Sequence, residues 1–228
     1  RGTLTILYGS ETGTAEECAL GLLREGRRRM FNCSVSALDS WERFELAEDS
    51  VAVLVFVVST TGQGDEPRNM KKFWRFLLRK SLDGLMTNRV VAVFGLGDSS
   101  YPKFNYPAKK LNKRLLQLGA TAIVPRGDGD DQHYLGVDGA FDPWCEQLWA
   151  ALDERFPLSR NVDVLPKNVL PPSTYQVRFL GDGDEVKTGT PPLLKKATCV
   201  ENTRITTVGH FQDVRHVVFD VDAADVRY

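Results

Sequence analysis

The sequence predicts an α/β fold: a small doubly wound parallel sheet of five strands, followed by a β-rich region of different composition. Three observations predict it. From residue 3 to about 157, short β-branched runs alternate with longer amphipathic ones. One of those runs, VAVLVFVV at Val51–Val58, is apolar on both faces, as a central parallel strand covered by helices is. The strands are followed by polar loops that carry glycines.

The elements follow in order. Strands are expected at Thr3–Tyr8, Cys33–Ala37, Val51–Val58, Val90–Phe94 and Ala120–Val124. Helices are expected at Thr14–Arg29, Asn69–Arg79, Pro107–Leu118 and Asp142–Phe156. In the third helix Ala108, Leu111, Leu115 and Leu118 recur at helical spacing, while Lys109, Lys110, Lys113 and Arg114 take the other face. Strands alternating with helices imply right-handed crossovers between parallel strands. Residues 158–173 are proline-rich and aperiodic, and read as a linker between a domain at 1–157 and a second one at 174–228. In that second region strand-like runs occur at Tyr175–Leu180, Lys196–Val200 and Val214–Val221. The chain starts at Arg1 and stops just after the last run, so both ends read as cuts within a longer protein.

Composition narrows the function classes. The 228 residues are 42% hydrophobic and 26% charged, which is ordinary for a globular chain and excludes wholesale disorder. Lys+Arg 29 against Asp+Glu 30 leaves no overall basic field for nucleic acid. The longest apolar run, Val51–Val58, is far shorter than the roughly 20 residues a bilayer span needs. Cys18, Cys33, Cys145 and Cys199 form no CxxC and no metal-spaced cluster with histidine, so they read as reduced thiols.

In an open parallel sheet, ligands sit beyond the carboxyl ends of the strands. After strand one stands Gly9-Ser10-Glu11-Thr12-Gly13-Thr14-Ala15, opening a helix. Hydroxyls, a tight turn and a helix N-terminus make a phosphate cradle. It has no lysine, so it is not a P-loop, and its spacing is not GxGxxG. Such a cradle suits a terminal monophosphate. Plain capping of the helix by Ser or Thr is the alternative. After strand three stands Ser59-Thr60-Thr61-Gly62-Gln63-Gly64-Asp65, whose glycines let backbone approach a flat ligand. After strand four stands Gly95-Leu96-Gly97-Asp98-Ser99-Ser100-Tyr101-Pro102-Lys103-Phe104-Asn105, which puts an aromatic at the ligand edge. After strand five stands Gly127-Asp128-Gly129-Asp130-Asp131-Gln132-His133. Each loop alone is an ordinary turn; four on one sheet edge make a site.

The segments GSETGTA, STTGQGDEPRNMKKFW, GLGDSSYPKFN and GDDQ resemble the flavodoxin-like FMN domain of the diflavin reductases over nearly all of residues 3–157. Within that family the detail is most similar to the branch associated with cytosolic iron–sulfur protein assembly. The resemblance implies the strand order 2-1-3-4-5 with helices on both faces. It implies that Ser10, Glu11, Thr12, Gly13, Thr14 and Ala15 hold the FMN phosphate. Ser59, Thr60, Thr61 and Gly62 would line one side of the isoalloxazine, with the Gly62 carbonyl near N5. Leu96, Gly97, Asp98, Ser99, Ser100, Tyr101, Pro102, Lys103, Phe104 and Asn105 would wrap the other side, with Tyr101 as the stacking ring. Asp131 would close the ribityl region. Residues 199–228 resemble the first strands of an FAD-binding domain, so FAD and NADPH are implied elsewhere in the same polypeptide. An anamorsin-type iron–sulfur acceptor and a cytoplasmic location are implied as well. No NADPH turnover is expected from these residues alone. One departure stands out. Many flavodoxin-like modules carry an aromatic where this chain has Thr61, and losing one ring costs about 0.5–1.5 kcal/mol.

Two other readings stay open at this stage. The chain could be the FMN domain of a P450 reductase or methionine synthase reductase type, or an interaction module that holds no flavin. No catalytic side chain is expected. His133, His210 and His216 are scattered, Arg27-Arg28-Arg29 reads as a solvated helix end, and Phe73, Trp74, Phe76 and Leu77 read as core.

Overall fold

Every second residue of the central strand faces the same layer of helices, and this alternation organises the first unit of the computed structural model. The structure describes residues 1–43, 52–159, 163–166, 168–169 and 198–220. The chain divides into two units, Arg1–Ser173 and Thr174–Tyr228.

In the first unit β1 (Thr3–Gly9), β2 (Asn32–Ala37), β3 (Ala52–Ser59) and β4 (Val90–Gly97) are joined by α1 (Thr14–Arg28) and α2 (Lys71–Leu77). Then come α3 (Tyr106–Gln117), β5 (Thr121–Ala122), β6 (Gly127–Asp130) and α4 (Asp138–Arg155). The strands are parallel in the order β2-β1-β3-β4-β5, and β6 also pairs with β4. The expected order 2-1-3-4-5 is therefore observed, with the fifth position split into two short strands. Val53, Val55 and Val57 of β3 pack against α1 and α4, with Leu22, Trp144 and Leu148. Leu54, Phe56 and Val58 pack against α2 and α3, with Phe73, Leu111 and Leu115. Both faces are dry, so both strand faces must be apolar. Burial of each such side chain contributes about 1.5–3 kcal/mol.

Strand β4 runs three residues beyond the expected Phe94, β5 is two residues rather than five, and three further departures bear on the site. The segment Gly127–Asp130 reads as a turn but pairs with Phe94–Gly97 of β4. Gly127 is required there because a Cβ would meet the Phe94 ring at 2.3 Å and the Trp144 ring at 2.8 Å. Pro125, which has no N–H, separates β5 from β6, and its carbonyl accepts from Trp144 Nε1 at 3.0 Å. Helix α2 begins two residues later than expected, after a 3-10 turn at Arg68–Met70. There the Asn69 side chain turns back to accept the Ser10 N–H at 2.9 Å. Helix α4 begins at Asp138, four residues early, and carries Pro143 inside it.

Part of the expected linker lies against the first unit. Leu165 donates its N–H to the Arg28 carbonyl at 3.0 Å, and its own carbonyl accepts from the Arg28 guanidinium at 2.5 Å. In the second unit β7 (Thr198–Arg204) and β8 (Arg215–Asp220) form an antiparallel pair with a bulge between Cys199 and Glu201. The run expected at Tyr175–Leu180 lies outside the described residues. No described helix is long and apolar enough to cross a membrane.

Candidate functional site

The carboxyl ends of β1, β3, β4 and β6 open into one cleft of about 800 Å3, within the range of small-molecule sites. Each wall is built by a different loop.

The first loop leaves β1 at Gly9. The Ser10 hydroxyl accepts the Gly13 N–H at 2.9 Å, which folds the loop over itself. Gly13 precedes the helix at φ 106°, a conformation open to glycine, and a Cβ there would meet nothing within 4 Å. No side chain caps α1. The N–H groups of Thr14 and Ala15 in its first turn therefore have no protein acceptor among the described residues. The capping alternative is thus not what the loop does; it leaves donors facing outward, as an anion site does. Thr12 and Thr14 line the cleft.

The second loop leaves β3 at Ser59, whose hydroxyl donates to the Gly9 carbonyl at 3.1 Å and ties two strand ends together. Thr60 donates its N–H to the Leu96 carbonyl at 2.8 Å, joining β3 to β4. Its hydroxyl oxygen is buried in the cleft wall with no partner among the described residues. A buried polar atom left without a partner carries a desolvation cost. Thr61 closes a hairpin: its N–H and its hydroxyl both donate to the Asp65 carbonyl at 3.1 Å, and its carbonyl accepts from Asp65 N–H at 2.8 Å. Gly62 at φ 47° and Gly64 at φ 90° make that turn possible.

The third loop, between β4 and α3, supplies Tyr101 and Phe104. Tyr101 is 56% exposed and free to lie against a planar ligand. The Asp98 carboxylate accepts the Ser100 N–H at 2.8 Å, and Asp130 accepts the Ser99 N–H at 2.9 Å. The Ser100 hydroxyl holds Asp98 below the usual carboxylate range, and the Ser99 hydroxyl does the same for Asp130. Both stay ionised at neutral pH. Asn105 is fully buried in a left-handed conformation (φ 52°) and donates from Nδ2 to the Gly129 carbonyl at 3.0 Å. It clamps this loop onto β6. From the fourth loop, Asp131 donates its N–H to the Gly97 carbonyl at 2.9 Å and lines the cleft.

Most of the predicted residues thus meet at one place: Thr12, Thr14, Ser59, Thr60, Gly62, Leu96, Gly97, Asp98, Tyr101, Pro102, Lys103, Phe104 and Asp131 line the cleft. The others stand behind it. Ser10 and Gly13 shape the first loop, and Ala15 is buried in the core. Glu11 accepts the Arg68 N–H at 2.8 Å. Thr61 closes its hairpin, and Ser99, Ser100 and Asn105 brace the third loop. Gln63, Gly64 and Val137 also line the cleft. Gly64 was legible as part of a glycine pair. Its role was not: a Cβ there would sit 2.5 Å from Lys103 Cβ, so the second and third loops touch across it. Val137 carried no signal, because it belongs to the turn ahead of a helix that starts earlier than the sequence suggests. Among the described residues no cluster suits a metal ion.

This donor set fits FMN. A lysine-free cradle offers N–H and hydroxyl donors to a monophosphate, and two rings border the cleft.

Residues 6–144 match the flavodoxin family. The chain is 44% identical to NADPH-dependent diflavin oxidoreductase 1 of Bos taurus, over 99% of this chain and 40% of that protein. It is 44% identical to the protein of that name from Danio rerio, with the same coverage. Against that of Schizosaccharomyces pombe it is 42% identical, over 95% of this chain and 38% of the other. The chain therefore spans about 40% of the length of these relatives. A solved structure of a cysteine-to-alanine mutant of flavodoxin from Pseudomonas aeruginosa superposes with a TM-score of 0.54 at 28% identity, covering 66% of this chain and 99% of that one.

Proposed function

The chain belongs to the flavodoxin family, and from that premise we propose that its cleft binds FMN and that the chain is the electron-carrying part of an NADPH-dependent diflavin oxidoreductase. The observation that carries the reading is the convergence of four loops on one cleft at the carboxyl edge of the sheet. The identity of 44% to a diflavin oxidoreductase supports the wider system. In it, residues 174–228 open the FAD-binding part, and FAD and NADPH are held by the rest of the polypeptide. An anamorsin-type iron–sulfur protein is the acceptor, in cytoplasmic iron–sulfur protein assembly.

When bound, FMN supplies one- and two-electron redox chemistry. The residues here act by position and charge. Thr12, Thr14 and the first-turn N–H groups of α1 hold the phosphate. Tyr101 and Phe104 cover apolar ring surface and exclude water. Asp98 and Asp131 at the cleft disfavour negative charge added to whatever lies there. No side chain is placed as acid, base or nucleophile.

A fluorescence titration of the flavin-free chain tests the reading. FMN should quench on binding and saturate at one per chain, and riboflavin should bind more weakly because the cradle stands empty. A folded chain that takes up neither flavin contradicts the assignment.

A further inference from the structure

The layer formed by α2 and α3 carries a charge pattern that its own stability does not explain. Between residues 71 and 80 stand five cations, Lys71, Lys72, Arg75, Arg79 and Lys80, and no acid. All five are exposed. None makes an ion pair among the described residues. Cations in a last turn suit the helix dipole, which accounts for Arg75. Lys71 and Lys72 lie in the first turn of α2, where the same dipole opposes them. Lys71 and Lys72 also stand four and three residues from Arg75, so like charges repel along one helix face. Asp39 accepts the Phe73 N–H at 2.9 Å and offsets part of this charge at the helix start; among the described residues the five cations are otherwise left without an ion-pair partner, which an anionic partner supplies.

Apolar surface lies among the charges. Phe76 stacks on Trp41 at 4.1 Å and carries the Arg79 guanidinium over its ring at 5.5 Å. Leu78 is 54% exposed. A shallow depression of about 370 Å3 is lined by Lys72, Arg75, Phe76 and Arg79. A neighbouring one of about 420 Å3 is lined by Leu78, Lys80, Asp83, Arg114 and Gln117. Arg114 donates to the Leu77 carbonyl at 2.7 Å, which fixes α3 beside this face.

We propose that this face is a docking surface for a protein segment in which acidic side chains alternate with apolar ones. Guanidinium groups take carboxylates in paired hydrogen bonds. Phe76 and the exposed Leu78 take the apolar side chains between them. The alternation of charge and apolar surface favours a peptide over nucleic acid or an anionic membrane. A chain of net charge −1 also lacks the long-range field that gathers polyanions. The surface shares no residue with the cleft, so the inference does not depend on the flavin.

Fluorescence anisotropy on the whole 228-residue chain tests it. The probe is a short labelled peptide of repeating Glu-Glu-Leu, with Lys-Lys-Leu as control. The acidic peptide should bind saturably and the control should not. The Lys72→Glu/Arg75→Glu variant should bind about tenfold or more weakly, a loss of at least about 1.4 kcal/mol. The same variant should melt close to the parent, because the acid gained in the first turn offsets the cation lost from the last. Should it melt lower, Arg79→Glu, which lies beyond the helix, gives the same reading of affinity. FMN uptake by either variant reports on the cleft separately. Equal affinity of parent and variants, or no binding by the parent, overturns the proposal. So does binding to phosphatidylserine vesicles or duplex DNA in preference to the peptide.

Discussion

Thr12 and Thr14 present hydroxyls to the cleft beside N–H groups that no described protein atom satisfies. Hydrogen bonds to a charged group contribute about 1.5–3 kcal/mol each. Replacing both threonines by alanine should therefore weaken FMN binding by on the order of a hundredfold to ten-thousandfold. Riboflavin binding should be nearly unchanged, and equal loss for both ligands removes the phosphate from the cradle. Gly64 is a second test at this scale. Alanine there must adopt φ 90° and push into the Lys103 stem. The left-handed strain alone is about 1–3 kcal/mol. We expect Gly64→Ala to lower stability in urea melts and to speed FMN release. Tyr101→Ala should raise the FMN dissociation constant and shift the flavin's potentials, and unchanged values would exclude Tyr101 as the stacking ring.

At the scale of elements, the α1 and α4 layer hides three thiols. Burial pushes Cys18 and Cys33 up to about 11 and Cys145 up to about 12, from an ordinary value of 9.0. Their native forms hold protons that the unfolded chain has already lost above pH 9 or so. Stability is therefore intact below that pH and falls as pH rises from about 9 toward 11. Urea melts at increasing pH check this. At neutral pH a thiol reagent should modify exposed Cys199 first, and the other three only on unfolding. Elements also show what sequence pattern can carry. VAVLVFVV announces a strand buried on both faces, because two apolar layers demand it. GDGD does not announce β6, because its glycines serve the rings of Phe94 and Trp144, which only the fold brings there. The cleft was legible where loops follow strands, through Ser, Thr and Gly. It was not legible at Val137, nor in the division between residues that face the cleft and residues that brace it. Asn105 looks the same as its neighbours in sequence, yet it is buried and bonded to β6.

At the scale of the molecule, every cleft residue lies between Thr12 and Val137, inside the first unit. A chain ended at residue 173 should bind FMN as the longer one does. One ended at residue 158 loses both Leu165 contacts and leaves Arg28 with Glu25 as its remaining side-chain partner among the described residues. Two such bonds, one of them charged, contribute about 2–4.5 kcal/mol, or about 4–18 °C in melting temperature. Calorimetry on the two truncations separates these expectations. Equal melting temperatures would mean that Leu165 adds nothing to the first unit.

Four loops converge on the cleft proposed to hold FMN. The most direct measurement is an absorbance spectrum of the purified protein, with the released ligand identified by chromatography. The purified protein should be yellow and release one FMN per chain. A colourless protein that stays colourless after incubation with FMN, while keeping its fold by circular dichroism, would contradict that proposal.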